Sequence, residues 1–325
     1  MQNSQLISIF TVNWNGKKWL NKFFSSLQKQ SYKNIELIMV DNNSSDDSVD
    51  YVRKKFPQVK IIKNKRNLGL ATATKIGVEE SKGEIVLFVN NDTWFDRYFV
   101  EKLKNFYDNN DYDVLSAVEK RYFNNKQFKC NTTIDPTGSP AYFIPTYNSK
   151  KLFYLTVCFL CSKNLFQKTL GTDKDFFMYY EDVDWFWRLS LLGKKFTVVK
   201  NCFIHHAGAG STGEGLKYNT FLWRNQNTLQ AIIKNYSTIT LFFVIPLYVM
   251  QNIFEIALFL LMGKPSISYS YIEGWIFNMK ILKKTLRKRA WVQKHRIISD
   301  FQIFKKMYFG FGKFLLLKDY FSLSR

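Results

Sequence analysis

The sequence predicts an α/β protein with a mostly parallel sheet and helices on both of its faces, followed by a C-terminal helical segment that associates with a membrane. Short apolar runs alternate with amphipathic stretches over about the first ninety residues, which is typical of a parallel sheet covered on both sides. An apolar stretch follows at 239–262, and a basic tail follows that. We therefore expect an α/β domain over residues 1–236 and a helical region over residues 237–325.

The predicted strands of the first part are the runs LISIFTV, IELIMVD, VKIIK and EIVLFVNND. Apolar residues at intervals of three and four indicate helices between them, as at Leu20, Phe23, Phe24 and Leu27. A further helix is predicted over residues 70–81. In such sheets ligands bind beyond the carboxyl ends of the strands, so a binding site is expected at that edge.

The second half of the domain is less regular. Residues 119–150 are rich in Asn, Pro and Gly and are predicted to form loops. The runs FYLTVCFLCS and KFTVVKNCFIHH are predicted strands, and residues 218–235 are a predicted helix. We interpret Cys158 and Cys161, which lie in an apolar run, as packed core thiols, with metal or redox use as the alternative.

The charge of the chain indicates anionic partners. The 325 residues carry a net charge of +21, and residues 280–325 contain 13 Lys and Arg against two Asp. Nucleic acid, an acidic membrane surface and phosphorylated substrates would each suit such a charge. The sequence contains no recognised nucleic-acid-binding motif and no P-loop, so we expect no nucleic-acid partner.

The apolar stretch 239–262 contains one charge, Glu255, and is long enough to cross a bilayer. A single crossing would separate the domain from the basic tail, and the first residues lack the features of an export signal. We therefore expect the stretch to lie in the interface of the cytoplasmic face of the membrane, peripheral or monotopic, with the tail held by anionic lipid. A core or oligomer contact and a true span are the alternatives.

The stretch DFFMYYEDVDWFWRLSLLG, residues 175–193, gathers acids in this basic chain. Glu181 or Asp182 can cap the start of a helix, and Asp184 and Arg188 have the spacing of a helical ion pair. An ionised carboxylate held at the mouth of a sheet can also act as a general base. The residues alone leave the structural and the catalytic interpretation open.

The wider pattern resembles the family 2 glycosyltransferases, especially their bacterial rhamnosyltransferase-like branch. The resemblance covers about residues 6–236 and rests on six motifs in the family's order: ISIFTVNWNG, ELIMVDNNSSDDS, NLGLATATKIG, GEIVLFVNNDT, DFFMYYEDVDWFWRLSLLGKKF and IHHAGAGS. It implies a Rossmann-like GT-A fold. It also implies inverting transfer of a sugar from a UDP- or dTDP-sugar, rhamnose among them, to a glycan or polyprenyl-linked glycan acceptor.

The resemblance places the donor site at the strand ends. The implied nucleotide-sugar contacts are Thr11, Asn13, Asp41, Asn67, Gly69, Asn91 and Asp92. The family's DxD metal motif falls on residues 90–92, so Mn²⁺ or Mg²⁺ is implied, with Asp92, Asn90 and His205 as ligands. Because Asn90 replaces the first acid of DxD, metal dependence is expected to be weaker. His205 is favoured over its neighbour His206.

The resemblance also assigns the acceptor side. Asp182 is the implied catalytic base, and Glu181 and Trp185 are the implied acceptor contacts, with core packing as the alternative for Trp185. The loop AGAGSTGEG is expected to close over the diphosphate. The sequence lacks the several spans and the QxxRW-type motif of processive synthases, and a non-catalytic glycosyltransferase-like scaffold is the alternative function.

Overall fold

The structure is a computed structural model that describes residues 4–121, 131–143, 152–208, 217–310 and 312. The strands are β1 Ile7–Asn13, β2 Ile35–Asp41, β3 Lys60–Lys63, β4 Ile85–Val89, β5 Thr93–Phe95, β6 Val114–Arg121, β7 Asn131–Ile134, β8 Pro140–Phe143, β9 Cys158–Ser162 and β10 Phe196–His206. The helices are α1 Lys17–Gln28, α2 Ser48–Lys55, α3 Leu70–Glu79, α4 Phe99–Asn109, α5 Lys163–Lys168, α6 Glu181–Leu191, α7 Tyr218–Asn235, α8 Thr238–Leu261, α9 Pro265–His295 and α10 Asp300–Phe304.

Eight strands form one sheet in the order β3-β2-β1-β4-β9-β6-β10-β5. β1 pairs in parallel with β2 and β4, β2 with β3, and β6 with β10. β9 runs antiparallel to both β4 and β6, so β6 and β10 point in the same direction as β4. The carboxyl ends of β1, β2, β3, β4 and β10 therefore lie along one edge of the sheet.

Both faces of this sheet are buried, as β4 shows. Ile85, Leu87 and Val89 lie in the apolar cluster that contains the buried faces of α1, α2 and α4. Val86 and Phe88 point the other way, into the cluster that contains α6. A strand buried on both faces has no polar side, which explains the continuous apolar run in the sequence and confirms the predicted α/β class.

The least regular part of the sequence differs most from expectation. The strand predicted at FYLTVCFLCS begins only at Cys158, and the residues before it run alongside β7, where the Phe153 amide donates to the Thr132 carbonyl at 2.9 Å. β7 and β8 form a separate hairpin within the predicted loop region. Cys158 and Cys161 are buried, and burial raises the pKa of Cys158 to about 11, so this thiol is unreactive and packs as the core interpretation requires.

The C-terminal helices pack on α7. α9 approaches α7 closely at Gly274, where an added Cβ would lie 3.2 Å from the Cβ of Asn225. Within the described residues, α8 is the one helix long and apolar enough to cross a membrane, and 33% of its most apolar window is buried. Its outer face exposes Ile239, Phe242 and Leu261. Burial of α8 on one side only is compatible with a helix that lies in a membrane interface.

Buried ion pairs join these helices to the sheet domain. Asp184 of α6 accepts a hydrogen bond from Arg188 Nε at 3.1 Å, and its Oδ2 lies 3.0 Å from Lys234 Nζ of α7. Lys234 also pairs with Asp173 at 2.6 Å, and Asp173 pairs with Lys288 of α9 at 2.5 Å. Burial opposes ionisation of Asp173, but the two lysines hold its pKa well below the ordinary range. Asp173 therefore stays ionised at neutral pH.

Replacing Lys234 with Met is expected to destabilise the fold strongly. The change leaves Asp173 and Asp184 buried with one cation fewer, and breaking a buried pair in this way costs about 3–5 kcal/mol. Thermal and urea unfolding measure the loss. Arg53→Ala serves as the control, because it removes only the exposed ion pair with Asp50 and should change stability little. Equal stability of the two variants would contradict a stabilising role for the buried Lys234 ion pairs.

Candidate active site

A chain of hydrogen bonds links three strand ends at the edge defined above. Asn13 at the end of β1 donates from Nδ2 to Asp41 Oδ1 at 3.1 Å, and Asn91 donates from Nδ2 to Asn13 Oδ1 at 2.8 Å. Asn13 and Asp41 are fully buried. The second oxygen of Asp41 accepts the Ser44 amide at 3.0 Å. The structure thus brings together three of the predicted donor-site residues, Asn13, Asp41 and Asn91.

Two further predicted residues, Asn67 and Gly69, shape the loop before α3. Asn67 Oδ1 accepts the Gly69 amide at 2.9 Å. Gly69 has a φ of +79°, and a Cβ there would lie 2.2 Å from the Phe177 carbonyl oxygen, so both the conformation and the contact require glycine. The Leu70 amide donates to that same carbonyl at 2.7 Å. The donor-side loop is therefore fixed against the turn that precedes α6.

Thr11 lies two residues before Asn13 on β1, on the same face of the strand. Its hydroxyl is buried, and among the described residues it has no hydrogen-bond partner. An unsatisfied buried hydroxyl is costly, and a bound ligand that accepts or donates there would remove that cost.

The predicted metal motif places Asp92 beside a histidine. Asp92 is buried, and its Oδ2 lies 3.2 Å from His206 Nε2. The other ring nitrogen, His206 Nδ1, lies 2.6 Å from Glu119 Oε1. Burial lowers the pKa of His206, but the hydrogen bonds to the two carboxylates outweigh it and raise the pKa to about 9. Asn90 begins this loop, and its carbonyl accepts the Thr93 hydroxyl at 2.6 Å.

The favoured histidine, His205, lies elsewhere. Its ring stacks on Trp94, with ring centres 5.6 Å apart, and its Nε2 lies 3.6 Å from Asp96 Oδ1. Neighbouring side chains of a strand point to opposite faces, so only one of the two histidines can face Asp92. The geometry corrects the preference for His205, because it brings His206 to the metal motif.

The residues around Asp92 fit a divalent cation. A separation of 3.2 Å between the Asp92 and His206 atoms lets both bind one ion once the ion displaces the proton on His206 Nε2, and a carboxylate on the far ring nitrogen, as from Glu119, is the usual support of a metal-bound histidine. The described residues contain no group of three or more His, Cys, Asp and Glu arranged for a metal. Other ligands would therefore come from the diphosphate, from water or from the Asn90 amide.

A pair of carboxyl groups, Glu181 and Asp182, lies at the start of α6. Glu181 is buried and Asp182 is half-buried, and Asp182 Oδ1 accepts the Val183 amide at 2.7 Å. Burial raises the pKa of both carboxyls, and the charge of Asp182 raises that of Glu181 further. A carboxylate whose pKa is raised toward neutrality can accept a proton from a hydroxyl group.

Trp185 does not reach this site. Its side chain is fully buried, its Nε1 donates to Thr169 Oγ1 at 2.9 Å, and its ring lies against Phe159 and Phe166. The structure therefore corrects its assignment as an acceptor contact, because a side chain without exposed surface cannot stack on a sugar. Trp187 is equally buried.

Sequence reasoning missed Glu119 and Asn227. Asn227 of α7 donates to the carbonyls of Met178 and Tyr179, in the turn before α6. Glu119 lies in the region that was predicted to be loop and is in fact part of β6. No motif signals either residue, since each acts through a tertiary neighbour.

Most of the loop AGAGSTGEG lies outside the described residues; within it, the Ala207 amide donates to the Asp92 carbonyl at 2.9 Å.

Known proteins resemble this chain in sequence and in fold. The model of glycosyl transferase family 2 matches residues 8–170. An uncharacterized glycosyltransferase of Haemophilus influenzae is 36% identical over 107 residues, 32% of this chain and 43% of that protein. The E. coli UDP-Glc:alpha-D-GlcNAc-diphosphoundecaprenol beta-1,3-glucosyltransferase WfaP is 33% identical over 92 residues, 28% of this chain and 37% of that protein.

The chain spans less than half the length of the curated relatives it matches. The crystal structure of GalNAc-T7 with UDP, GalNAc and Mn²⁺ is similar in fold, with a TM-score of 0.59, 14% identity, and coverage of 72% of this chain and 48% of that one. This structural likeness supports the GT-A fold predicted for the parallel sheet. Since the family model covers half of the sequence, the chain belongs to glycosyl transferase family 2.

Proposed function

We propose that this protein is an inverting glycosyltransferase that moves a sugar from a nucleotide diphosphate sugar to a hydroxyl of a glycan or polyprenyl-linked glycan. The observation that carries the proposal is the Gly69–Phe177 contact. It fixes the loop before α3, which carries Asn67 and Gly69, against the turn that presents a carboxyl pair with raised pKa values. In this proposal the site for the nucleotide sugar and the carboxyl group that acts as base lie at the same edge of the sheet.

The donor half follows from the strand ends. Asp41 and Asn13 offer a carboxylate and an amide for the base and ribose of a nucleotide, and Thr11 adds a buried hydroxyl. WfaP is named for its use of UDP-Glc, and GalNAc-T7 was crystallised with UDP. We propose a UDP- or dTDP-sugar donor for this chain, and rhamnose as the sugar, in keeping with the rhamnosyltransferase-like motifs.

Asp182 acts as the base in this proposal. Its carboxylate takes the proton of the acceptor hydroxyl as that oxygen attacks the anomeric carbon from the side opposite the nucleotide, so the configuration inverts. Glu181, held protonated by burial and by the Asp182 charge, donates a hydrogen bond to the acceptor. Asp92 and His206 would hold Mn²⁺ or Mg²⁺, which when bound offsets the charge of the leaving diphosphate.

The exposed side of α8 supplies the proposed membrane contact. Phe242, Phe243 and Leu261 are exposed there, on a helix that is long and apolar enough to cross a membrane. Lys280, Lys283 and Arg287 are exposed on α9, where they can meet anionic lipid. We propose that residues 237–325 hold the domain 1–236 at the cytoplasmic face of the membrane, near a polyprenyl-linked acceptor. WfaP carries such a carrier lipid in its name.

The Asp182→Asn variant is expected to lose transfer while it keeps nucleotide binding. The amide matches the carboxylate in shape but cannot accept the proton. Turnover should fall by a factor of about 10²–10⁴, the usual contribution of a general base, and calorimetry should give an unchanged affinity for the nucleotide. Glu181→Gln, which keeps a hydrogen-bond donor, should retain far more activity; equal loss in both variants would remove the distinction between their roles.

The pH dependence of the wild type should report the same base. Because burial raises the pKa of Asp182, transfer is expected to be full above that raised pKa and to fall as the pH drops through it. The acid limb of the rate profile should therefore lie at a higher pH than the ordinary pKa of an aspartate, near 3.9. A rate that stays constant down to that value would contradict a role for Asp182 as base.

Nucleotide binding and the metal contacts can be tested together by thermal stability. UDP, dTDP, GDP and CDP are each added with and without Mn²⁺; a ligand at a hundred times its dissociation constant stabilises by about 2.7 kcal/mol. We expect a shift for one nucleotide that increases with Mn²⁺. His206→Ala and Asp92→Ala should lose the Mn²⁺ increment, whereas the matched variant His205→Ala should keep it. If only His205→Ala loses the Mn²⁺ increment, His205 rather than His206 would be the metal ligand.

The membrane contact is tested on the full chain, since α9 is bound to the domain by buried ion pairs. Phe242→Glu combined with Phe243→Glu places charge on the exposed side of α8 and should abolish co-flotation with vesicles that contain phosphatidylglycerol. Tyr98→Glu, at an exposed aromatic residue of the sheet domain, serves as the control and should float like the wild type. Flotation of the double variant would contradict the proposed surface.

A further inference from the structure

The turn before α6 has an unusual backbone. Tyr179 and Tyr180 have φ values of +66° and +72°, a left-handed conformation that is rare for residues with a bulky side chain. Such a conformation persists only where neighbouring groups hold it. Because Glu181 and Asp182 follow directly, this turn sets the direction in which the two carboxyls leave the start of α6.

Asn227 of α7 holds the turn from one side. Its Nδ2 donates to the Met178 carbonyl at 2.9 Å and to the Tyr179 carbonyl at 2.7 Å. The Asn227 side chain is only 2% exposed, so water does not compete for these bonds. Both hydrogens of one amide group are used, and a side chain without two donors at this point cannot replace them.

Other contacts hold the ends of the same turn. The Phe177 carbonyl accepts the Leu70 amide at 2.7 Å, and the Tyr180 hydroxyl donates to the Gly138 carbonyl. Neither contact reaches the carbonyls of Met178 and Tyr179, which lie at the centre of the turn. Among the described residues, Asn227 is the side chain that bonds to both of those central carbonyls.

We propose that Asn227 is a positioning residue that fixes the Asp182 carboxyl for the transfer step. The proposal rests on the proposed function, because it assumes that Asp182 is the base. Asn227 acts through the backbone of the turn and contacts no substrate. Loss of its two hydrogen bonds frees the turn, and the Asp182 carboxyl then samples directions in which it no longer reaches the acceptor oxygen.

The test uses Asn227→Leu, which keeps the shape of the side chain and removes both donors. The probe is the nucleotide sugar whose nucleotide stabilises the wild type, and the assay follows its slow hydrolysis, in which water replaces the acceptor. We expect nucleotide affinity and the donor KM to stay unchanged while kcat falls by about tenfold or more. The acid limb of the rate profile should move to lower pH, since a carboxyl displaced into water loses the burial that raises its pKa.

Gln230→Met is the matched control. Gln230 lies on the same helix, is fully buried, and has no hydrogen-bond partner for either amide atom among the described residues, so its loss should leave kcat and the pH profile unchanged. Hydrogen exchange of the amides of residues 177–183 should rise in Asn227→Leu and not in the control. If Asn227→Leu does not fold, Asn227→Ser, which retains one donor, is measured in the same way.

The outcomes separate the two proposals. A kcat and pH profile that are the same in the Asn227 variant and the Gln230 variant would overturn the positioning role and leave the proposed function intact. A wild-type chain that binds and hydrolyses no nucleotide sugar would instead overturn the proposed function, and the positioning role with it. A fall in kcat together with a raised KM and weakened nucleotide binding would indicate general disruption and would also count against the proposal.

Discussion

The buried carboxylate of Asp184 requires cations, and this requirement fixes how the helices of the protein are arranged. An ionised group without exposed surface is costly unless charged partners surround it. Arg188 comes from the same helix, and Lys234 comes from α7. Lys234 also pairs with Asp173, and Asp173 pairs in turn with Lys288 of α9. Because these ion pairs form one connected chain, the positions of α6, α7 and α9 depend on one another.

The same network explains why one short stretch of a basic chain gathers acids. Asp173 and Asp175 bind lysines, and their pKa values lie below the ordinary range. Among the described residues, no Lys or Arg forms an ion pair with Glu181 or Asp182, and burial raises their pKa values. Burial disfavours ionisation in all four acids, and the presence of a cation decides the direction of the shift. Carboxyl groups with lowered pKa values and carboxyl groups with raised pKa values thus lie within ten residues of one another.

The sequence could predict the sheet because strands buried on both faces must be apolar throughout, and it placed the start of α3 at Leu70, where the structure has it. It could not decide between His205 and His206, because their faces depend on a register shift of β10 between Val199 and Phe203. Periodicity also fails for Trp185, since α6 is buried on nearly every side. Asn227 carries no sequence signal, because its role depends on a turn about fifty residues away.

The family model ends at residue 170, before Asp182, Asn227 and Lys234. The strand-end residues Asn13, Asp41 and Asn91 therefore lie within the matched span, whereas Glu181, Asp182 and Asn227 lie beyond its end. α9 has two sides with different partners. Lys288 on one side binds Asp173 and so braces the helix of Asp182, whereas the other side is exposed with Lys283 and Arg287. Through Asp173, Lys234 and Asp184, α9 is thus linked by ion pairs to the helix that carries Asp182.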